Sequence, residues 1–125
     1  MTDTNTKLCE ASSKLIFSCS GAADVGSIAD LTARQLTKKG LGKMFCIVAI
    51  GGQTGPIINA TQKASLLLAI DGCPLDCAKK TLEKAGFSHM TYIRVTDLGM
   101  EKGKTVMSKE NISVVRNKAQ SVLGG

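Results

Sequence analysis

The sequence predicts an α/β protein: a three-layer α/β/α sandwich with a four-stranded, mostly parallel sheet, Rossmann-like in plan. Three observations carry this. Short apolar runs alternate with stretches of helical spacing along the 125 residues. The clearest run, Leu66 to Ile70, is continuously apolar, as a strand covered on both faces is. The helical stretches fall between the runs, as parallel βαβ crossovers require. Right-handed crossovers then put helices on both faces of the sheet.

Taken in order, Met1 to Ser13 is polar and reads as a flexible N-terminal segment holding an incidental thiol, Cys9, which leaves 14–125 as a single domain. Lys14 to Cys19 reads as the first strand. Ser20 to Ser27 is a loop of small residues. Ile28 to Lys39 has helical spacing, with Ile28, Ala29, Leu31, Ala33 and Leu36 toward the sheet and Asp30, Arg34 and Lys38 toward water. Gly40 is a natural residue to end it. Strand, small-residue loop and helix are the parts of an anion cradle. Gly21 and Ser20 lie in that loop, but no Gly-Lys-Ser/Thr closes it.

Leu41 to Ile50 admits two registers. A strand from Leu41 to Cys46 places Cys46 at its carboxyl end. A strand from Met44 to Ile50 buries Cys46 roughly 13 Å back at strand rise. The first register leaves Val48 to Gly52 as a turning segment; Gly51 to Gly55 reads as flexible, and Pro56 to Ser65 as a short helix. After the Leu66–Ile70 strand comes a sharp corner at Asp71-Gly72. The spacing predicts a helix with Cys73 as its N-cap, Pro74 first, Asp76 third, and its end at Ala85 before Gly86. Met90 to Val95 is the fourth strand and Thr96 to Lys104 a loop. Ser108 caps a last helix, Lys109 to Leu123, with Ile112, Val115, Ala119 and Val122 as its apolar stripe.

Composition narrows the function. A hydrophobic share of 43% supports a packed core rather than a disordered chain. No apolar run is long enough to cross a membrane, and the polar start has no signal-peptide core, so a cytoplasmic location is the expectation. The net charge of +6 invites nucleic acid as a partner. The lysines are scattered as pairs, and three Phe, one Tyr and no Trp leave few platforms for base stacking, which argues against it. Five cysteines in a chain read as cytoplasmic point to reduced thiols, used for metal ligation, redox work or burial.

The chemistry gathers around Cys73 and Cys77. On the predicted helix they are one turn apart and both face its free N–H groups, an environment that favours thiolate. Cys19 and Cys73 both fall at carboxyl ends of strands, where such sheets bind ligands. With Cys46 they form a candidate four-thiolate metal site, for zinc or for an iron–sulfur cluster. Asp24, Asp71 and Ser20 are candidates to support that site or to cap helices. A competing reading is a thiol-redox or thiol-transfer enzyme with Cys73 as nucleophile and Cys77 as resolving thiol. His89 reads as a surface residue. No Ser-His-Asp set or pair of carboxylates supports a hydrolase or a glycosidase.

Several segments are recognisable together: Cys19-Ser20-Gly21, Asp24-Val25-Gly26, the run Gly42-Lys43-Met44-Phe45-Cys46, Ile70-Asp71-Gly72-Cys73-Pro74-Leu75-Asp76-Cys77 and Thr96-Asp97-Leu98-Gly99. Over about Lys14 to Gly103 the chain resembles the DGC domain family, named for the Asp71-Gly72-Cys73 tripeptide. The resemblance implies a zinc-binding protein whose ligands are four cysteines. In this sequence those are Cys19, Cys46, Cys73 and Cys77.

Overall fold

The computed structural model describes residues 13–124; Cys9 lies outside the described residues. The elements run β1 (Lys14–Ser18), α1 (Asp24–Lys38), β2 (Lys43–Met44), α2 (Ile47–Gly51), α3 (Gly55–Lys63), β3 (Leu66–Asp71), α4 (Cys77–Lys84), β4 (Thr91–Arg94), a 3-10 turn (Val95–Leu98) and α5 (Lys109–Leu123). The four strands form one sheet in the order β2-β1-β3-β4, and every pairing is parallel.

The two-residue period of the strands divides the core. Ile16, Leu68, Ile70 and Ile93 face one side, where α1 and α5 cover them with Ile28, Leu36, Ile112 and Val115. Leu15, Phe17, Leu67 and Ala69 face the other, against Ile50 of α2 and Leu82 of α4. Both faces are covered, so the strands are apolar at successive positions. Each fully buried Leu, Ile or Phe contributes about 1.5–3 kcal/mol. Among the described residues no helix is long and apolar enough to cross a membrane.

Strand order fixes where the site can be. From β1 the chain moves outward to β2, then returns past β1 to β3. Right-handed crossovers place α1 on one face and α2 and α3 on the other. The faces therefore change between β1 and β3, and a crevice opens beyond their carboxyl ends. Cys19 follows β1 and Cys73 follows β3.

The structure differs from the expectations at several places. The Leu41–Ile50 stretch follows the first register: strand pairing covers only Lys43–Met44, the chain leaves the sheet at Cys46, and Ile47–Gly51 is helical. The first helix starts earlier, at Asp24, and Leu31 lies on its exposed side. The largest correction concerns Cys73. It is not a helix cap. Residues 73–76 form a turn closed by the Asp76 N–H donating to the Cys73 carbonyl at 3.2 Å, and α4 begins at Cys77.

Candidate thiol centre at the β1–β3 edge

Three glycines bring the walls of the crevice together. A Cβ on Gly72 would lie 2.7 Å from the Gly26 nitrogen and 2.7 Å from the Val25 carbonyl carbon. A Cβ on Gly26 would lie 2.7 Å from the Gly21 oxygen. The first turn of α1 thus rests directly on the end of β3, and the β1–α1 loop rests on that turn. Close backbone approach, not an unusual dihedral, requires glycine at 26 and 72.

Cys19 enters through this contact. Its N–H extends the ladder to the Ile70 carbonyl at 3.1 Å, and its Sγ accepts the Gly72 N–H at 3.3 Å. Burial pushes the Cys19 thiol above its ordinary value, while the Gly21 and Gly72 N–H groups work the other way. Cys73 is half-buried against the core side that holds α1 and α5. The Lys102 ammonium donates to its sulfur at 3.6 Å. Cys77, the first residue of α4, is exposed.

The carboxylates hold the scaffold of this edge. Asp71 is buried and accepts the Ala78 N–H at 2.8 Å and the Lys79 N–H at 3.0 Å. The free donors of α4 therefore point at Asp71 rather than at the thiols. Asp76 sits in the left-handed region at φ 55, and two partners from β4 hold it there. Arg94 grips both carboxylate oxygens at 3.0 and 2.9 Å, and the Tyr92 hydroxyl donates to one of them. Arg94 holds the Asp76 carboxyl below the usual carboxylate range. Burial and the same carboxylate push the Tyr92 phenol up. Asp24 accepts N–H groups from Val25, Gly103 and Thr105.

Ser20 and Gly21 serve the loop itself. The Ser20 hydroxyl donates to one Asp30 carboxylate oxygen at 2.7 Å, and the other oxygen pairs with Arg34 of the same helix. Cys46 follows β2, an edge strand of the sheet. It is exposed and lines a cavity of about 800 Å³ with Ser20, Arg34, Lys38, Phe45 and Val48.

The donor set at the β1–β3 edge is all sulfur, which suits a thiophilic ion. Its geometry is open: among the described residues no three His, Cys, Asp or Glu side chains stand close enough to hold one metal ion. Sequence reasoning did not reach the Asp76–Arg94–Tyr92 group or Lys102, because each joins segments distant in the chain. Thr96 lies in the 3-10 turn that follows β4. Its N–H donates to the Gly72 carbonyl at 3.2 Å, and its buried hydroxyl has no partner among the described residues.

A family model described as DGC domain matches residues 15–119. The chain belongs to the DGC domain family. A curated relative is the anaerobic and virulence modulator AnvM of Pseudomonas aeruginosa strain PAO1, 30% identical over 88 residues. The match covers 70% of this chain and 67% of that protein. No solved structure gives a significant match. The DGC tripeptide itself is now legible as three jobs: Asp71 fixes α4, Gly72 admits α1, and Cys73 carries the thiol.

Proposed function

We propose that this DGC-domain protein binds a thiophilic metal ion, zinc in the first place, through cysteine thiolates at the carboxyl edge of its sheet. Cys19, Cys73 and Cys77 form the group around Gly72, with Cys46 as the fourth ligand that the family resemblance implies. The observation that carries the reading is the contact of the Cys19 sulfur with the Gly72 N–H, because it brings sulfur from β1 directly against the turn that bears Cys73 and leads to Cys77. Binding requires the sulfurs to draw closer than they stand here. Residues 73–75 lie between Gly72 and the Asp76 carboxylate that Arg94 and Tyr92 hold, and this short stretch is the part that would have to shift. The ion would supply charge that keeps the thiols deprotonated.

A cysteine-to-serine series tests this by metal content. Cys73→Ser, Cys77→Ser and Cys19→Ser each lower bound zinc sharply, and Cys9→Ser leaves it unchanged. Equal loss in all four variants, or loss in none, overturns the assignment.

The Lys102–Cys73 contact favours a second reading, in which Cys73 acts as a nucleophilic thiol. Cys73 would attack a partner disulfide, and Cys77 would displace the resulting mixed disulfide. The partner gains two electrons and two protons as Cys73 and Cys77 become a disulfide. A relative named as an anaerobic modulator fits either reading, since reduced thiols serve both. Zinc content with slow thiol exchange favours the first reading; metal-free protein with fast exchange favours the second.

A further inference from the structure

We propose that Asp24 is a positioning residue that holds the Lys102 ammonium against the Cys73 sulfur, making residues 100–105 a strap across the thiol edge. The inference rests on the reading of Cys73 as a working thiol and adds a control over what approaches it.

Asp24 is the first residue of α1, where an acidic side chain is unremarkable. Its bonding is not that of a helix-start acid alone. One of its bonds, from the Val25 N–H at 2.7 Å, stays within the helix. The other two, from the Gly103 and Thr105 N–H groups at 2.9 Å each, reach a segment near the other end of the chain. Those two donors hold the Asp24 carboxyl below the usual range, so it is ionised at neutral pH.

The strap is closed on itself. The Thr105 hydroxyl donates to the Glu101 carbonyl at 2.7 Å and accepts the Glu101 N–H at 2.9 Å. The Lys104 N–H donates to the Glu101 carbonyl at 3.0 Å. Gly103 makes the turn at φ 86, a backbone state that side chains resist. Met100 anchors one end in the core, and Asp24 pins the other. Lys102 lies between these anchors, and its ammonium reaches Cys73 at 3.6 Å. An exposed lysine on a free loop spreads over many rotamers. With its backbone fixed at both sides, only the side chain has to be ordered. The fixed positive charge favours an anionic partner at Cys73 over a neutral one.

The test compares two alkylating agents of similar size and opposite suitability, iodoacetate and iodoacetamide. Cys73 labelling is followed peptide by peptide in the reduced full chain, with EDTA present so that no ion shields the sulfur. The ratio of the two rates cancels access and thiolate fraction and reports the local field. Lys102→Gln is expected to lower the iodoacetate-to-iodoacetamide ratio about threefold to fivefold, as one nearby screened charge does, and Asp24→Asn to lower it less, because the carboxylate charge it removes itself disfavours the anionic reagent. The double variant should fall no further than the larger single effect, because both act through one ammonium. A ratio that falls in Lys102→Gln but keeps its wild-type value in Asp24→Asn overturns the positioning role. A ratio unchanged in both overturns the contact.

Amide hydrogen exchange of the unaltered chain needs no variant: protected Gly103 and Thr105 N–H groups support the strap, and exchange at open-loop rates overturns it. The outcome is separable from metal binding. Zinc bound through Cys73 with an unchanged ratio removes only the strap, and a lowered ratio in a chain that binds no metal removes only the metal reading.

Discussion

Asp71 caps a helix from the end of a strand: its carboxylate accepts the Ala78 N–H at 2.8 Å, seven residues on, from a fully buried position. The bond locks α4 to β3 across the cysteine turn that joins them. Asp71→Ala should cost about 2–3 kcal/mol, since two helix N–H groups lose their acceptor and one is buried. Asp71→Asn retains an acceptor oxygen and should cost about half as much. Urea unfolding of the two variants measures both, and equal costs would show that the capping bonds are not the reason.

Gly72 and Gly21 make a matched pair for the packing claim. Alanine at Gly72 forces the new carbon into the backbone of α1, and such overpacking costs about 1–3 kcal/mol. Alanine at Gly21 meets nothing within 4 Å and should be near neutral. Thermal melts read the difference directly.

The Asp76–Arg94 pair predicts a pH dependence. The folded-state pKa of Asp76 is depressed, chiefly by Arg94, below an unfolded value of about 3.9. Its contribution is therefore present above that unfolded value and is lost as pH falls through the lower folded one. Stability should decline with acid below about pH 4, with a shallower slope in Asp76→Asn. The slope should not vanish, because Asp24 is depressed as well and titrates in the same direction. Asparagine tolerates the left-handed backbone at this position, so the loss at neutral pH, about 1–2 kcal/mol, reports the lost ion pair rather than strain.

Cys19 should be the slow thiol. Its pKa is raised by burial, so less thiolate is present at neutral pH, and its sulfur is partly covered. Iodoacetamide should label Cys46 and Cys77, which are exposed, several-fold faster, and the gap should narrow as pH rises. Labelling of Cys19 at the rate of Cys46 would contradict the Gly72 contact.

Much of the fold was legible because its strands are local and apolar on both faces. Leu66 to Ile70 could hardly be read otherwise, and Ser108 announced α5 as a cap whose side chain accepts the Asn111 N–H. Leu41 to Ile50 stayed ambiguous between two strand registers, because an apolar run without alternation does not mark where pairing stops; the helix at Ile47–Gly51 was missed because a short apolar run has the same pattern in a strand and in a buried helix. Pro74 was misleading. It is a good first helical residue, but Asp76, gripped by Arg94 from the neighbouring strand, takes the left-handed backbone, and the helix begins only at Cys77. The carboxyl-edge placement of Cys19 and Cys73 followed from topology alone. Asp24's bonds to Gly103 and Thr105 and the reach of Lys102 join residues far apart in the chain, and no local pattern encodes them.

The most direct test of the thiolate metal site is elemental analysis with an ultraviolet–visible spectrum, on full-length protein purified without air and without a metal affinity tag. About one zinc per chain with no visible absorbance is the expected result for a closed-shell ion held by thiolates. Iron with acid-labile sulfide and visible bands, or protein free of metal with all five thiols open to labelling, would contradict it.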